Sequence, residues 1–342
     1  MNGPVVVAGA GSIGCFVGGL LAAAGREVRF LARPRMVSEL RSHGLTLTDL
    51  EGGNRRVPAQ SLSVTDDPAV LAEAGWILVT VKSSATAEMA ESISRHAKVG
   101  AGVVSLQNGI GNADRLRAIA REQRVVAGMV PFNVVHQGDG RFHRGTDGSL
   151  TVEAGGPGLR SLLSVPGLAV AEHPDMTGLA WGKLLLNLNN ALNALSGLPL
   201  RQQLSDRRWR LVLAACQREA LETLAAAKIV PARVGKVPPW LLPRIVALPD
   251  LVFHLIAGTM VKIDPEARSS MWEDLEKRRP TEVDHLQGAV VELARSLGRD
   301  APVNRKVMEQ VKRAEAIGTG SPRVTAESLR TEPALIPWTP EM

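Results

Sequence analysis

Apolar residues in this chain come first as short continuous runs and later as helical stripes, and the change of period divides the chain. Val5–Ala8 is a run of four that turns at once into Gly9-Ala10-Gly11-Ser12-Ile13-Gly14, after which apolar positions take helical spacing. Further strand-like runs stand at Val28–Ala32, Trp76–Val81, Gly102–Leu106 and Arg124–Val130, with helical spacing over Pro34–His43, Ala85–His96 and Asp114–Glu122. Strands alternating with helices in this way predict an α/β fold with a doubly wound parallel sheet. Residues 44–64 read as short strands around a Gly-Gly turn. From Met129 to Gly155 the period becomes two, with glycine turns, which predicts an antiparallel extension of that sheet. From Met176 to about Ile317 the pattern is helical, interrupted at Pro199, Pro231 and the proline-rich 236–250. The expected division is therefore a dinucleotide-binding domain over 1–175, an all-α domain over 176–317, and a loosely docked or disordered tail over 318–342, which holds four prolines.

The turn after the first run carries the first candidate chemistry. In a strand-turn-helix unit Gly9 permits the turn, Gly11 lets the backbone approach a pyrophosphate, and Gly14 lets helix and strand pack closely. Backbone amides of Ser12, Ile13 and Gly14 would then face the anion. The second run ends at Arg33, where an acidic residue would serve an NAD ribose. Arg33, with Arg35 near it, suits a 2′-phosphate instead, so the expected cofactor is NADPH/NADP+. The uncharged stretch Gly3–Gly25 has a competing reading as a membrane span, but its seven glycines and Pro4 suit a turn better. Cys15, beside the last motif glycine, is expected only to pack there. Lys82 and Asn108 close the runs at Trp76 and Gly102, so with the glycine turn three polar features fall at strand ends, where ligands of such sheets gather.

Composition narrows the partners. Forty Lys and Arg against 34 Asp and Glu leave a charge of +6, scattered, with no tyrosine and five phenylalanines. That suits an anionic small molecule and argues against nucleic acid. Two cysteines are too few for a disulfide framework and no cleavable leader is visible, so the expected location is cytoplasmic. No metal-ligand spacing of His, Cys and carboxylates appears, and no metal is expected.

The helical half offers two candidates, each with a plain alternative. At about 100° per residue, Lys183, Asn187 and Asn190 share one side of a leucine-rich helix, either as buried groups needing partners or as a solvated stripe. In the charged stretch 268–282, Pro280 is expected to open a new helix, so that Ser270 and Glu282 belong to successive helices. The alternative is a solvated charged face with Glu282 favouring a helix N-terminus.

Taken in order, GAGSIG at 9–14, VTVKS at 79–83, LQNGIGN at 106–112, WGKLLLN at 181–187 and the stretch from Ser269 to Gly288 resemble the ketopantoate reductase (2-dehydropantoate 2-reductase) family over about residues 4–315. The resemblance implies a Rossmann domain joined to a helical domain, with NADPH and substrate in a cleft between them. It implies Lys183 as general acid and Glu282 as partner to the substrate hydroxyl. Ser270 would hold the substrate carboxylate, Asn108 and Asn187 would orient substrate, lysine or nicotinamide, and Lys82 would lie near both ligands. Two stretches depart from the family pattern: Asn190 is out of register with the usual N-P-L-T, and 236–250 is atypical. The implied activity is reduction of a 2-oxo acid to a 2-hydroxy acid, 2-dehydropantoate first, in pantothenate and coenzyme A synthesis. The alternatives are a different 2-oxo acid on the same fold, and a non-enzymatic NADP(H)-binding redox sensor. The apolar helices expected over Leu211–Ala226 and Ile245–Ile256 offer a surface for a homodimer.

Overall fold

Four consecutive apolar residues suit a strand covered on both faces, and Val5–Ala8 forms such a strand, β1. Its side chains alternate between two cores. Val5 and Val7 join Phe16, Leu20 and Phe30, whereas Val6 and Ala8 join Ile77, Val79, Ile93 and Leu116. The computed structural model describes residues 3–156, 158–257 and 267–330, and these form two compact units divided between Ala180 and Trp181.

In the first unit β1 is followed by α1 (Ser12–Ala23), β2 (Val28–Leu31), α2 (Pro34–His43), β3 (Leu45–Asp49), β4 (Asn54–Val57), β5 (Ser63–Thr65) and β6 (Trp76–Val79). Then come α3 (Thr86–His96), β7 (Gly102–Ser105), α4 (Asn112–Ile119), β8 (Arg124–Met129), β9 (Val134–Gly138), β10 (Arg141–Arg144), β11 (Leu150–Glu153), α5 (Leu159–Leu163) and β12 (Val170–His173). The main sheet runs β12-β11-β8-β7-β6-β1-β2-β5. From β5 to β8 every pairing is parallel. The order reverses between β1 and β6, which makes the ends of those two strands the switch point where ligands of doubly wound sheets bind. Helix α4 begins and ends earlier than the expected 114–122.

The period-two stretch after Met129 divides between two sheets instead of extending one. Only β11 joins the main sheet antiparallel, against β8, and β12 then pairs parallel to β11. The hairpin β9–β10 leaves to form a second sheet, β4-β3-β10-β9, with β10 parallel to β3. What draws it away is α2: Glu39 accepts from His136 Nε2 at 2.5 Å and from Gly140 N at 2.9 Å, and the His136 ring stacks on Phe142. Helix α1 passes between the sheets. A side chain on Gly18 would strike Val7 and Phe30 of the main sheet, and one on Gly19 would strike Leu45 and Leu47 of the small one.

Helix α6 (Met176–Asn187) runs across the division, and the second unit adds α7 (Asn189–Ser196), α8 (Leu200–Ser205), α9 (Arg207–Ala226), α10 (Leu242–Val246), α11 (Asp250–Ala257), α12 (Ser270–Glu276), α13 (Gln287–Ser296) and α14 (Pro302–Ile317). The helix expected over Ile245–Ile256 is two helices, because Pro249 disfavours helical backbone at the residue before it. Arg210, fully buried on α9, holds that junction: it donates to the carbonyls of Val246 at 2.9 Å and Leu248 at 2.7 Å, pairs with Asp250, and covers the Phe253 ring at 4.0 Å. Nor does Pro280 open a helix. Thr281 N donates to Glu315 Oε1 at 2.6 Å and Val283 N to Thr281 Oγ1 at 3.2 Å, so the first amides after the proline are bonded outside any helix. Glu282 precedes a short 3₁₀ turn, Val283–His285, and α13 begins only at Gln287.

Residues 318–330, expected to begin a loose tail, are held to the helices. Ser321 Oγ donates to Ala194 O at 2.6 Å, Val324 N to Leu195 O at 3.0 Å and Ser321 N to Glu276 Oε1 at 3.0 Å, while Ala326 and Leu329 are buried. Residues 331–342 lie outside the described residues. The start of α14 is capped from another helix: Glu219 of α9 accepts from Val303 N at 3.0 Å, Asn304 N at 2.8 Å and Asn304 Nδ2 at 2.7 Å. Substituting Glu219→Ala leaves those donors unmet in a site where Asn304 is fully buried, and a loss of about 2–3 kcal/mol is expected in urea unfolding of the variant.

Candidate functional site

In the first unit the glycine turn meets its neighbours as an anion cradle must. Gly9 has φ +105°, a conformation that favours glycine, and a side chain there would run into Val81. On Gly14 a side chain would strike the Gly9 carbonyl and the Thr80 hydroxyl, the latter donating to Gly9 O at 2.5 Å. Gly11 differs, because a Cβ there would meet nothing within 4 Å. Its backbone is extended and exposed, so the turn presents open space at Gly11 for reasons other than the packing of the protein. Helix α1 starts at Ser12 with no side-chain cap and no acidic residue in its first turn. Its leading amides, at Ser12, Ile13 and Gly14, with the positive end of the helix dipole, are of the kind that can hold an anion. Gly9 N and Ala10 N donate to Leu31 O, which sets the turn beside the end of β2. Arg33, two residues on, is exposed and immediately precedes α2. These features fit a dinucleotide with a phosphorylated ribose.

Lys82 and Asn108 follow β6 and β7 and stand on the same sheet edge, Lys82 exposed and Asn108 half-buried. A buried network binds their backbones together. Ser83 Oγ donates to Asn108 O at 2.7 Å, and Asn112 Nδ2 donates to the same carbonyl at 2.7 Å and to Ser83 Oγ at 3.0 Å. Gln107 Nε2 donates to Val81 O at 3.1 Å and to Thr86 Oγ1 at 2.7 Å. Both loops are therefore fixed relative to each other at the strand ends. Cys15 packs as expected: its buried Sγ donates to Ala10 O at 3.3 Å, and burial pushes the thiol far above its ordinary range, so it stays unreactive.

In the second unit the polar stripe is shorter than the sequence suggested. Helix α6 ends at Asn187, Leu188 forms a break, and Asn190 lies on α7 beyond it. Lys183 and Asn187 are half-buried among Trp181, Leu184, Leu185 and Leu188, all buried. Gly182 next to the lysine has no room for a side chain, since the Ala232 carbonyl lies against it. Burial pulls the Lys183 ammonium from 10.5 to about 8, and the Glu282 carboxylate acts against that fall. The structure therefore brings Lys183 and Glu282 into electrostatic reach across about a hundred residues of sequence, while Glu276, Lys277, Arg278 and Arg279 of the same charged stretch are exposed.

Ser270 stands exposed at the first position of α12, whereas its buried neighbour Ser269 does the structural work. Ser269 Oγ donates to Asn190 O at 3.0 Å and accepts from Trp272 N at 3.1 Å, and Ser269 N donates to Asn193 Oδ1 at 2.8 Å. That clasp fixes where Ser270 sits relative to α7. Among the described residues no group of three or more His, Cys, Asp or Glu is placed to hold a metal ion, and no helix is long and apolar enough to cross a membrane.

Comparison with known proteins bears on both units. The family model described as ketopantoate reductase PanE/ApbA matches residues 5–156, and that described as ketopantoate reductase PanE/ApbA C terminal matches 175–315. A 2-dehydropantoate 2-reductase of Archaeoglobus fulgidus is 28% identical over 327 residues, covering 91% of this chain and 98% of its own. The crystal structure of a PanE/ApbA family ketopantoate reductase from Ralstonia eutropha JMP134 superposes with a TM-score of 0.78 at 31% identity, over 92% of this chain and 99% of that one. D-mandelate dehydrogenase, solved with NADH and anilino(oxo)acetate, gives a TM-score of 0.75 at 21% identity, over 92% of this chain and 99% of that one, a likeness of fold alone.

Proposed function

The chain belongs to the ketopantoate reductase PanE/ApbA family, and from that premise we propose that it reduces a 2-oxo acid to the 2-hydroxy acid with NADPH. The substrate in this reading is 2-dehydropantoate and the product (R)-pantoate, destined for pantothenate and coenzyme A. The observation that carries the proposal is Lys183, an ammonium brought to about 8 by burial against the opposing pull of the Glu282 carboxylate. A donor tuned toward neutral pH is what the protonation of a nascent alkoxide requires.

The amides at the start of α1 would hold the diphosphate, Arg33 the 2′-phosphate, and Lys82 would lie by the ligands. NADPH, when bound, would supply the hydride for the carbonyl carbon. Lys183, protonated, bonds to the carbonyl oxygen, stabilises the charge that builds there and delivers its proton. Glu282 keeps that ammonium charged in its apolar surroundings and accepts from the hydroxyl formed. Asn108 and Asn187 orient the reacting groups, and Ser270 takes the substrate carboxylate. The same proposal makes the protein a cytoplasmic enzyme and a homodimer, the latter supported by the exposed apolar residues Trp240, Leu251 and Leu255.

Initial rates with NADPH or NADH and a panel of 2-oxo acids, 2-dehydropantoate and an aromatic one included, test the reading. Turnover is expected with NADPH. In Arg33→Asp its kcat/KM should fall roughly 10- to 100-fold, the loss of charge-assisted bonds to one phosphate, while the rate with NADH holds or rises. Turnover of the aromatic acid alone would move the same chemistry to another substrate. Tight NADPH binding without turnover of any oxo acid would favour a redox sensor.

A further inference from the structure

Two buried glutamines brace the helix that carries Lys183. Gln217 on α9 donates from Nε2 to Leu185 O at 3.1 Å, and Gln287, the first residue of α13, donates from Nε2 to Leu188 O at 2.8 Å. The two carbonyls flank the break between α6 and α7, where a helix loses part of its own ladder and needs donors from elsewhere. Gln287 is fully buried and Gln217 is 2% exposed. In both, Oε1 is buried with no hydrogen-bond partner among the described residues. An orphaned amide oxygen is unfavourable, and a methionine would fill the same space without it. The side chains earn their place through the N–H alone.

Gln287 has a further property that Gln217 lacks. It lies five residues after Glu282, as Leu188 lies five residues after Lys183, so its bond ties the two segments bearing the charged pair at matching offsets. Val283 and Leu286 on one side, with Leu184, Leu185 and Leu188 on the other, are all buried, so water does not compete for the bond. We propose that Gln287 is a positioning residue whose amide, hung on the Leu188 carbonyl, sets the approach of Glu282 to Lys183. The inference rests on Lys183 acting as the proton donor.

Gln287→Met removes the N–H at nearly constant volume, Gln287→Asn keeps it but shortens its reach by one methylene, and Gln217→Met removes the other brace away from Glu282. Each full-length variant is assayed with NADPH and the preferred 2-oxo acid across pH 6 to 10. Both Gln287 variants should lose kcat, by roughly 10- to 100-fold in Gln287→Met, with KM for NADPH unchanged. Their alkaline limb should move to lower pH, because Glu282, no longer held against Lys183, stops opposing the fall that burial imposes. In Gln217→Met the limb should stay where it is in the parent. Parental rate and limb in the Gln287 variants, or a lost rate with an unmoved limb, overturns the proposal, and Gln287→Asn decides if Gln287→Met does not fold. If the parent protein turns over no 2-oxo acid, the proposed function fails first and takes this inference with it. A turning-over parent with indifferent Gln287 variants sinks the inference alone.

Discussion

Lys183→Met is expected to reduce kcat by roughly a thousandfold while leaving NADPH affinity close to that of the parent protein. General acid catalysis contributes about 10²–10⁴, and the same ammonium also stabilises the developing oxyanion, so the loss belongs to the upper part of that range. The variant should also be more stable. Lys183 titrates near 8 when folded against 10.5 as an ordinary lysine, so between those values the unfolded chain binds more protons than the folded one. Stability contributed by this group therefore rises with pH through that window and is lowest below it, where the buried charge opposes folding. After discounting for its accessible part, methionine should gain on the order of 1–2 kcal/mol at pH 7. Stopped-flow or steady-state rates together with denaturant midpoints check both halves. An inactive variant that is also destabilised would point to a structural lysine.

Gly11→Asp should abolish tight cofactor binding without harming the fold. At Gly11 the backbone is extended, φ −83° and ψ −168°, and a side chain would enter open space. Aspartate is also a good residue to precede a helix, and by capping α1 it should add about 0.5–1 kcal/mol of stability. The same carboxylate would occupy the place of the diphosphate and repel it, so the Kd for NADPH should rise roughly 100-fold or more, the loss of about 3 kcal/mol. Gly14→Ala should behave in the opposite way, because its methyl would strike the Gly9 carbonyl and the Thr80 hydroxyl, and unfolding at lower denaturant is expected. Fluorescence titration with NADPH alongside thermal melts separates the two effects. Unchanged affinity in Gly11→Asp would mean that the dinucleotide does not lie on this turn.

The local rules carried the reading of the parallel sheet a long way. Val5–Ala8, Pro34–His43 and the start of the strand at Trp76 follow from apolar runs and caps in their own neighbourhood, and the observed bounds match or nearly match them. The stretch Val134–Arg144 was legible as period-two with glycine turns, but as an extension of the main sheet and not as part of a second one. Its alternation is the same whichever sheet it joins, and the choice is made by Glu39, about a hundred residues away, bonding His136. For Pro280 the failure is similar: its local preference for a helix start lost to Glu315 and Thr281, which took the amides that follow it. The site divides along the same line. Residue types at strand ends and on one helix pointed to Lys183, Arg33 and the glycines, whereas the residue types of Gln217, Gln287 and Ser269 carry no sign of the bonds they make. Their roles exist only once distant backbone carbonyls are brought to them.

The most direct test of the account is the pH dependence of kcat/KM for 2-oxo acid reduction, measured for the parent protein and for Glu282→Gln. Since the Lys183 proton must be present to be delivered, the parent rate should be flat through neutral pH and fall above about 8. Glu282 opposes the fall in the lysine's pKa, so its neutralisation should move that limb to lower pH. A parent profile that stays level to pH 10, or a limb that Glu282→Gln leaves in place, would contradict Lys183 as the proton donor.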